Sequence, residues 1–375
     1  MKILLVGEYS GVHYMLAEGL RKLGHEVTVA SNGDFWKDYP RDIDLSRKEG
    51  TTGKLSFLCR IFRVLPRMRG YDIVQLINPM FLELKAERLF GIYDYLRKHN
   101  KRIVLAVVGD DYYYPYINKT LMPMRYSDYN IGNESRCTEF AKATYEVWVG
   151  TEKERLNKYI AKDCDAIIAG AYEYWLPYHI TEDKDRNGVP LREKLFAIPF
   201  PFKPADKVTP PESERLRVFI GISKQRSEFK GTDIMLRAAQ DLQEKYPERM
   251  ELKVASGVPF AEYQHMMDNS DVMMDQLYAH GPGMNGLLAL SKGLITFTGG
   301  EPEHYDLMGE KECRPIINVQ PSYESVYNEL EQLLLHPESI AERKQQSREY
   351  VLRNYDYIKV AKQYEEIYWS ALEQK

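Results

Sequence analysis

Three cations stand within seven residues of the segment GISKQRSEFKG: Lys224, Arg226 and Lys230, with Gly231 directly behind the last. Ammonium and guanidinium groups at that density can hold a phosphate or diphosphate by charge-assisted hydrogen bonds. A second stretch, HGPGMNGLLALSKG (280–293), sets two glycines around a proline just before an apolar run that stops at Lys292 and Gly293. This reads as a helix over 284–292 whose first amides are covered by no side chain, and bare helix-start amides bind anions. Each stretch also has a plainer reading: a solvated basic turn, and a helix start packed tightly on a sheet. The two strengthen each other because both follow strands of one sheet and so lie at one edge. At Gly283 a side chain would block an approaching anion, and a φ that favours glycine is expected there.

These loops need a scaffold, and the chain supplies one from its first residues. KILLVG is an apolar strand, GVHYMLAEGLRKLGH an amphipathic helix and EVTVAS a second strand, the βαβ unit of a parallel sheet. More strands follow at 71–78, 101–111, 164–170 and 195–202, with a helix over 81–98. The stretch PFPFKPADKVTPPESE (199–214) then holds five prolines without periodicity and reads as a linker. Alternation resumes with strands LRVFIGIS, MELKVAS, DVMMDQL and LITFTG, and with helices over 231–246, 284–292, 322–335 and 337–354. A chain of 375 residues exceeds one hydrophobic core. The expected fold class is α/β, with two Rossmann-like doubly wound parallel-sheet domains, 1–203 and 204–356, facing each other across a cleft. A last helix over 357–375 is expected to return to the first domain.

Composition narrows the function. A net charge of −4 gives no global pull toward nucleic acid. Cys59, Cys137, Cys164 and Cys313 lie far apart with no C-x-x-C pair, which fits inert thiols in a reducing cytosol. No apolar run approaches the roughly 18 residues of a membrane span, so a cytoplasmic location is expected. A nicotinamide site would want G-x-G-x-x-G after the first strand and an acidic residue ending the second. The loops GEYSGVHYM and ASNGD meet neither requirement. The acidic EDKD at 182–185 has no preceding strand and reads as a solvated turn, and the eight histidines form no H-x-x-x-H pair. Neither a metal nor a cofactor is expected.

One segment leaves two readings open. Residues 47–70 carry seven basic residues against one acidic, with Leu55, Leu58, Phe62 and Leu65 on one helical face beside Arg60 and Arg63. Such a helix either covers the first sheet with its basic side in water, or rests on an anionic membrane at its inner face.

The order of motifs resembles the family-4 nucleotide-sugar glycosyltransferases, which have the two-domain GT-B fold. That family carries an Arg and a Lys before a Gly in the first loop of its second domain, both gripping the donor diphosphate. The resemblance places these roles on Arg226, with Lys224 as the fallback, and on Lys230. The stretch from His280 is similar to the family's E-G-F-G-x-x-x-x-E-A-M-A-x-G segment, matching its glycines, Ala289 and Gly293. His280 stands where the family has the glutamate that touches the donor sugar, and Leu288 where it has the one that holds the ribose. Glu301 and Glu303, at the next strand end, are candidates for the missing carboxylate. Gly281, Gly283, Met284, Asn285 and Ser256 complete the implied donor site, with Lys230, Arg226 and His280 as its catalytic group. LAVVGDDYY looks like the family's L-T-V-H-G-S-D, with Val108 at the histidine. Acceptor-side residues are then Glu8, Ser10, Gly11, Asp110 and Asp111, the aspartates binding hydroxyls or capping a helix. The implied activity is metal-independent, retaining transfer of a sugar from a nucleotide-diphosphate donor to a saccharide or lipid-linked acceptor, in surface polysaccharide or glycoconjugate assembly. An inactive binding protein of this fold and a nucleotide-sugar epimerase are the alternatives.

Overall fold

The computed structural model describes residues 1–47, 50–208 and 213–373. Parts of the basic stretch (48–49) and of the proline-rich linker (209–212), together with 374–375, lie outside the described residues, as does the side chain of Leu55. The chain forms two compact units. One comprises Met1–Ile117, Thr144–Lys203 and Tyr357–Lys375, the other Asn118–Ala143 and Pro204–Asp356.

The first unit is built on a seven-stranded parallel sheet. Its strands are β1 (Lys2–Val6), β2 (Glu26–Ser31), β3 (Ile43–Asp44), β4 (Ile73–Leu76), β5 (Arg102–Val107), β8 (Ala166–Ala169) and β9 (Leu195–Ala197), in the order β3-β2-β1-β4-β5-β8-β9. Two further short strands, β6 (Asn130–Ile131) and β7 (Glu134–Ser135), form a separate hairpin in the second unit. The strands of the sheet are largely apolar because both faces are covered. Leu4, Val6, Leu105 and Val107 pack with Leu89, Tyr93 and Leu96 on one side. Ile3, Leu5 and Val104 pack on the other with Leu16, Leu20, Val360, Tyr364 and Tyr368.

The terminal helix Tyr357–Glu373 thus lies beside the helix Val12–Lys22. Tyr368 donates to Gln75 (2.7 Å), and Gln75 meets His13 Nε2 (3.1 Å). The Nδ1 of His13 donates to the Gly7 carbonyl (2.8 Å). Burial lowers the His13 pKa to about 3, so the ring is neutral, as this chain of bonds requires.

The helix Gly50–Val64 and the turn behind it cover this sheet with a different face from the one expected. Phe57, Ile61, Leu65 and Met68 are buried in the core, whereas Phe62 is 71% exposed. Arg60 donates to the Ser46 carbonyl (3.0 Å) and pairs with Asp44.

The second unit holds β10 (Leu216–Gly221), β11 (Met250–Ala255), β12 (Val272–Met274), β13 (Ile295–Thr298) and β14 (Ile317–Asn318), all parallel, in the order β11-β10-β12-β13-β14. The order in which strands are added therefore switches sides at β10, and the loops leaving β10 and β12 diverge at a topological switch point, where open α/β sheets bind ligands. Met235, Ala239, Leu242, Val326 and Leu330 cover one face. Met267, Ala289 and Leu294 cover the other.

Two helical glycines test this packing with opposite signs. A Cβ at Gly19 would overlap the Tyr357 carbonyl and the Ala361 side chain, whereas one at Gly91 meets no described atom within 4 Å. Gly91→Ala should therefore stabilise the protein by about 0.5–1 kcal/mol, the ordinary helix gain. Gly19→Ala should destabilise it by about 1–3 kcal/mol through overpacking. Urea denaturation of the two variants checks both signs.

Candidate functional site

β10 ends at Gly221, and the chain then makes a tight turn over Lys224–Arg226 and a single helical turn, Ser227–Lys230. Gly231 follows with φ 75°, and a Cβ there would press on Leu277. Glycine is needed at this position on both counts. The loop leaving β12 is hydrogen-bonded to this one, the amide of Leu277 donating to the Lys230 carbonyl at 2.9 Å. The structure thus brings together the two stretches singled out in the sequence.

Their meeting point is a carboxylate that the sequence reading did not select. Asp275 closes β12 and is 4% exposed. Its Oδ1 lies 3.8 Å from Lys230 Nζ. Asn285 Nδ2 and Thr298 Oγ1 both donate to it at 3.4 Å. A carboxylate ending an apolar strand at the carboxyl edge of a parallel sheet was the available signal. A buried carboxylate needs a cation, and an anion arriving at this edge would share the same ammonium group.

The glycine bend has a different physical basis from the one expected. Gly283 has φ −75° and ψ 175°, a conformation open to any residue. A Cβ there would meet only Gln276 Nε2, at 3.6 Å. The constrained glycine is Gly281, whose Cβ would overlap the His304 ring. His304 is fully buried, with Nε2 2.9 Å from the Tyr355 hydroxyl. Burial, reinforced by His280, lowers its pKa to about 3. The helix Met284–Lys292 begins at Gly283 with no side-chain cap among the described residues. Its first amides are the bare donors that the sequence implied. Asn285, in that first turn, is hydrogen-bonded to the Tyr263 hydroxyl at 2.9 Å.

The other donor-side candidates separate into exposed and buried groups. Lys224 and Ser256 are exposed. The Arg226 guanidinium lies over the rings of Phe140 (4.9 Å) and Phe229 (5.5 Å), and its buried Nε has no hydrogen-bond partner among the described residues. His280 is 1% exposed, and its Nε2 donates to the Tyr126 carbonyl at 3.0 Å. Burial lowers its pKa below the ordinary value and keeps the ring neutral. Glu301 is also 1% exposed and accepts from Tyr126, Arg125 and Gln320. Burial alone would raise its pKa, but these bonds and the Arg125 charge outweigh it and hold the carboxyl below its ordinary range. Glu303 accepts from Arg125 at 3.1 Å.

In the first unit, Glu8 and Asp111 serve as helix caps. Buried Glu8 accepts from the amides of His13 (3.3 Å) and Tyr14 (2.7 Å), and burial raises its pKa to about 7. Asp111, fully buried, accepts from the Tyr178 hydroxyl (2.6 Å) and the Tyr114 amide (3.0 Å), and burial raises its pKa to about 6. Asp110 is half-buried. Ser10 takes φ 56° and accepts from Lys37 at 3.2 Å. Gly11, at φ 83°, faces the Tyr39 ring.

No protein-family model matches the chain, and no curated protein sequence matches it. Solved structures do match it in fold. HepE of Anabaena, in complex with UDP and glucose, aligns with a TM-score of 0.60 at 13% identity, over 99% of this chain and 100% of its own. Sucrose-phosphate synthase of Thermosynechococcus elongatus aligns at 0.59 and 12% identity, over 99% of each chain. UDP-GlcNAc 2-epimerase of Neisseria meningitidis, bound to UDP-GlcNAc, aligns at 0.51 and 12% identity, over 99% and 100%. The fold is that of the GT-B glycosyltransferases.

Two consequences can be measured without any ligand. Gly283→Val should fold with a melting temperature within about 2 °C of the parent, whereas Gly281→Val should lose about 1–3 kcal/mol by displacing His304. A melt of Gly283→Val as low as that of Gly281→Val would contradict the geometry. The second consequence concerns pH. The His304 pKa falls from 6.5 when unfolded to about 3 when folded, so the unfolded chain binds the extra proton between those values. Its contribution is present above pH 6.5 and is lost on acidification toward 3, at up to about 1.4 kcal/mol per pH unit. The drop in unfolding free energy from pH 7 to 5 should therefore be smaller in His304→Phe than in the parent.

Proposed function

We propose that the protein is a glycosyltransferase that moves a sugar from a nucleoside-diphosphate donor, bound by the second unit, to an acceptor hydroxyl at loops of the first. The observation that carries this reading is the cluster of Lys230, Asp275 and the uncapped start of Met284–Lys292 at the switch point of the second sheet. In the reaction the bond from the anomeric carbon to the diphosphate oxygen breaks and a bond to the acceptor oxygen forms. Charge builds on the departing diphosphate, so fixed cations and amides aimed at it lower the barrier. Lys230 and the amides of 283–285 take that role, with Arg226 as a second cation. Asp275 holds the ammonium of Lys230 in place before the anion arrives. In this reading Lys230 and Arg226 supply the neutralising charge that a metal would otherwise bring to the diphosphate. Transfer with retention follows from the resemblance in motif order.

A second reading, epimerisation of a nucleotide sugar, is favoured by the fold shared with UDP-GlcNAc 2-epimerase. Product analysis separates the two, because an epimerase needs no acceptor.

Thermal-shift measurements with UDP, GDP, ADP, CDP and dTDP test the shared requirement for a nucleotide. A ligand at 100 times its Kd should add about 2.7 kcal/mol of stability. Charge-assisted hydrogen bonds contribute about 1.5–3 kcal/mol each, so Lys230→Ala should weaken the bound diphosphate at least about tenfold and leave the nucleoside unaffected. No shift with any of the five would overturn the reading.

A further inference from the structure

Residues Asn118–Ala143 come from the first half of the chain yet cluster with the second unit. We infer that this segment is a built-in brace of the donor site, and that Arg136 is the residue by which it positions the clamp loop carrying Lys230. The inference rests on the proposed reading of that loop as a diphosphate clamp.

The brace is ordered by its own bonds. The hairpin of β6 and β7 turns at Gly132, which has φ 57°. The side chain of buried Asn130 donates to the carbonyls of Met124 (2.8 Å) and Gly132 (2.9 Å). The Arg136 amide donates to the Tyr129 carbonyl at 2.7 Å. The two ends of this piece reach the loops after β10, β12 and β13.

At one end, the Arg136 guanidinium lies 3.2 Å above the centroid of the Tyr278 ring, in the loop after β12. It donates to the carbonyls of Glu228 (2.9 Å) and Phe229 (3.5 Å), and back to that of Ser127 (3.1 Å). Glu228 and Phe229 belong to the single helical turn that ends at Lys230. One nitrogen of the guanidinium, Nη2, serves both carbonyls, the first of which also accepts from the Gly231 amide (3.3 Å), while the planar group stacks on an aromatic face. Lysine cannot reproduce that arrangement. At the other end, Arg125 and Tyr126 bind Glu301, and the Tyr126 carbonyl accepts a hydrogen bond from His280 Nε2. Removing these partners would leave a buried carboxylate uncompensated. One piece of chain thus ties the loop after β10, the loop after β12 and the end of β13 together. Among the described residues Arg136 makes no hydrogen bond to Lys230 or Asp275, and it acts through the backbone that carries Lys230.

The test uses the full chain and the variants Arg136→Gln and Arg136→Lys. In the ligand-free protein, amide exchange over 224–232 should quicken at least about tenfold in Arg136→Gln, and less in Arg136→Lys, with peptides of β1 and β5 unchanged. Affinity for whichever of UDP, GDP, ADP, CDP or dTDP binds the parent should fall at least about tenfold in Arg136→Gln, while affinity for the matching nucleoside stays within about twofold. A purely structural role would weaken both ligands equally and overturn the inference. Exchange over 224–232 at the parental rate in both variants would also overturn it. A parent that binds no diphosphate defeats the proposed function instead, and the exchange measurement still decides whether Arg136 holds the loop. If Arg136→Gln does not fold, Arg136→Lys alone carries both readouts, and parental values in each overturn the inference.

Discussion

The lateral pairing of β10 with β12 is the constraint on which the second unit's chemistry depends. Val218 stands opposite Val272 and Ile220 opposite Met274, with parallel hydrogen bonds between them. Since β11 lies on the other side of β10, the loops leaving β10 and β12 must part company at this point. That divergence gives room for Asp275, Lys230 and the start of Met284–Lys292 to meet. A slip in strand order would scatter all three. The apolar run of β12 holds the order, because Val272, Met273 and Met274 are all fully buried.

The buried carboxylates around this edge follow one rule, that each is answered nearby. Asp275 is answered by Lys230, Asn285 and Thr298, and Glu301 by Arg125, Tyr126 and Gln320. His280 and His304 are held neutral by burial instead. The region consequently has a well-defined geometry before any ligand binds, which is what electrostatic stabilisation of a leaving group requires. Lys230 is partly open to solvent as well as paired with Asp275.

The fold was legible because local pattern decides it. Short, largely apolar runs marked the buried strands, and helical spacing between them marked the covering layers. The cation-rich loop and the glycine bend were legible for the same reason, as short stretches with their own chemistry. What local pattern cannot carry is partnership over long separations. Nothing near residue 136 announces that its guanidinium will rest on Tyr278, and the strands of the 118–143 segment are two residues each, too short for any periodicity. The bend at 280–283 was legible as glycine-dependent, but the crowding neighbour is His304, some twenty positions on, so the constraint falls on Gly281 and not Gly283. In the helix Gly50–Val64 both sides are apolar, and the spacing of Leu58 and Phe62 competes evenly with that of Phe57 and Ile61. Only packing against the first core selects the second pair.

In the proposed reaction the diphosphate of a donor sits between Lys230 and the uncapped turn at 283–285. A crystal structure with a bound nucleoside diphosphate tests it most directly. The outer phosphate is expected within hydrogen-bond distance, about 2.7–3.2 Å, of Lys230 Nζ and of the Met284 or Asn285 amide. A diphosphate bound at another edge, with Lys230 still turned to Asp275 alone, would contradict it.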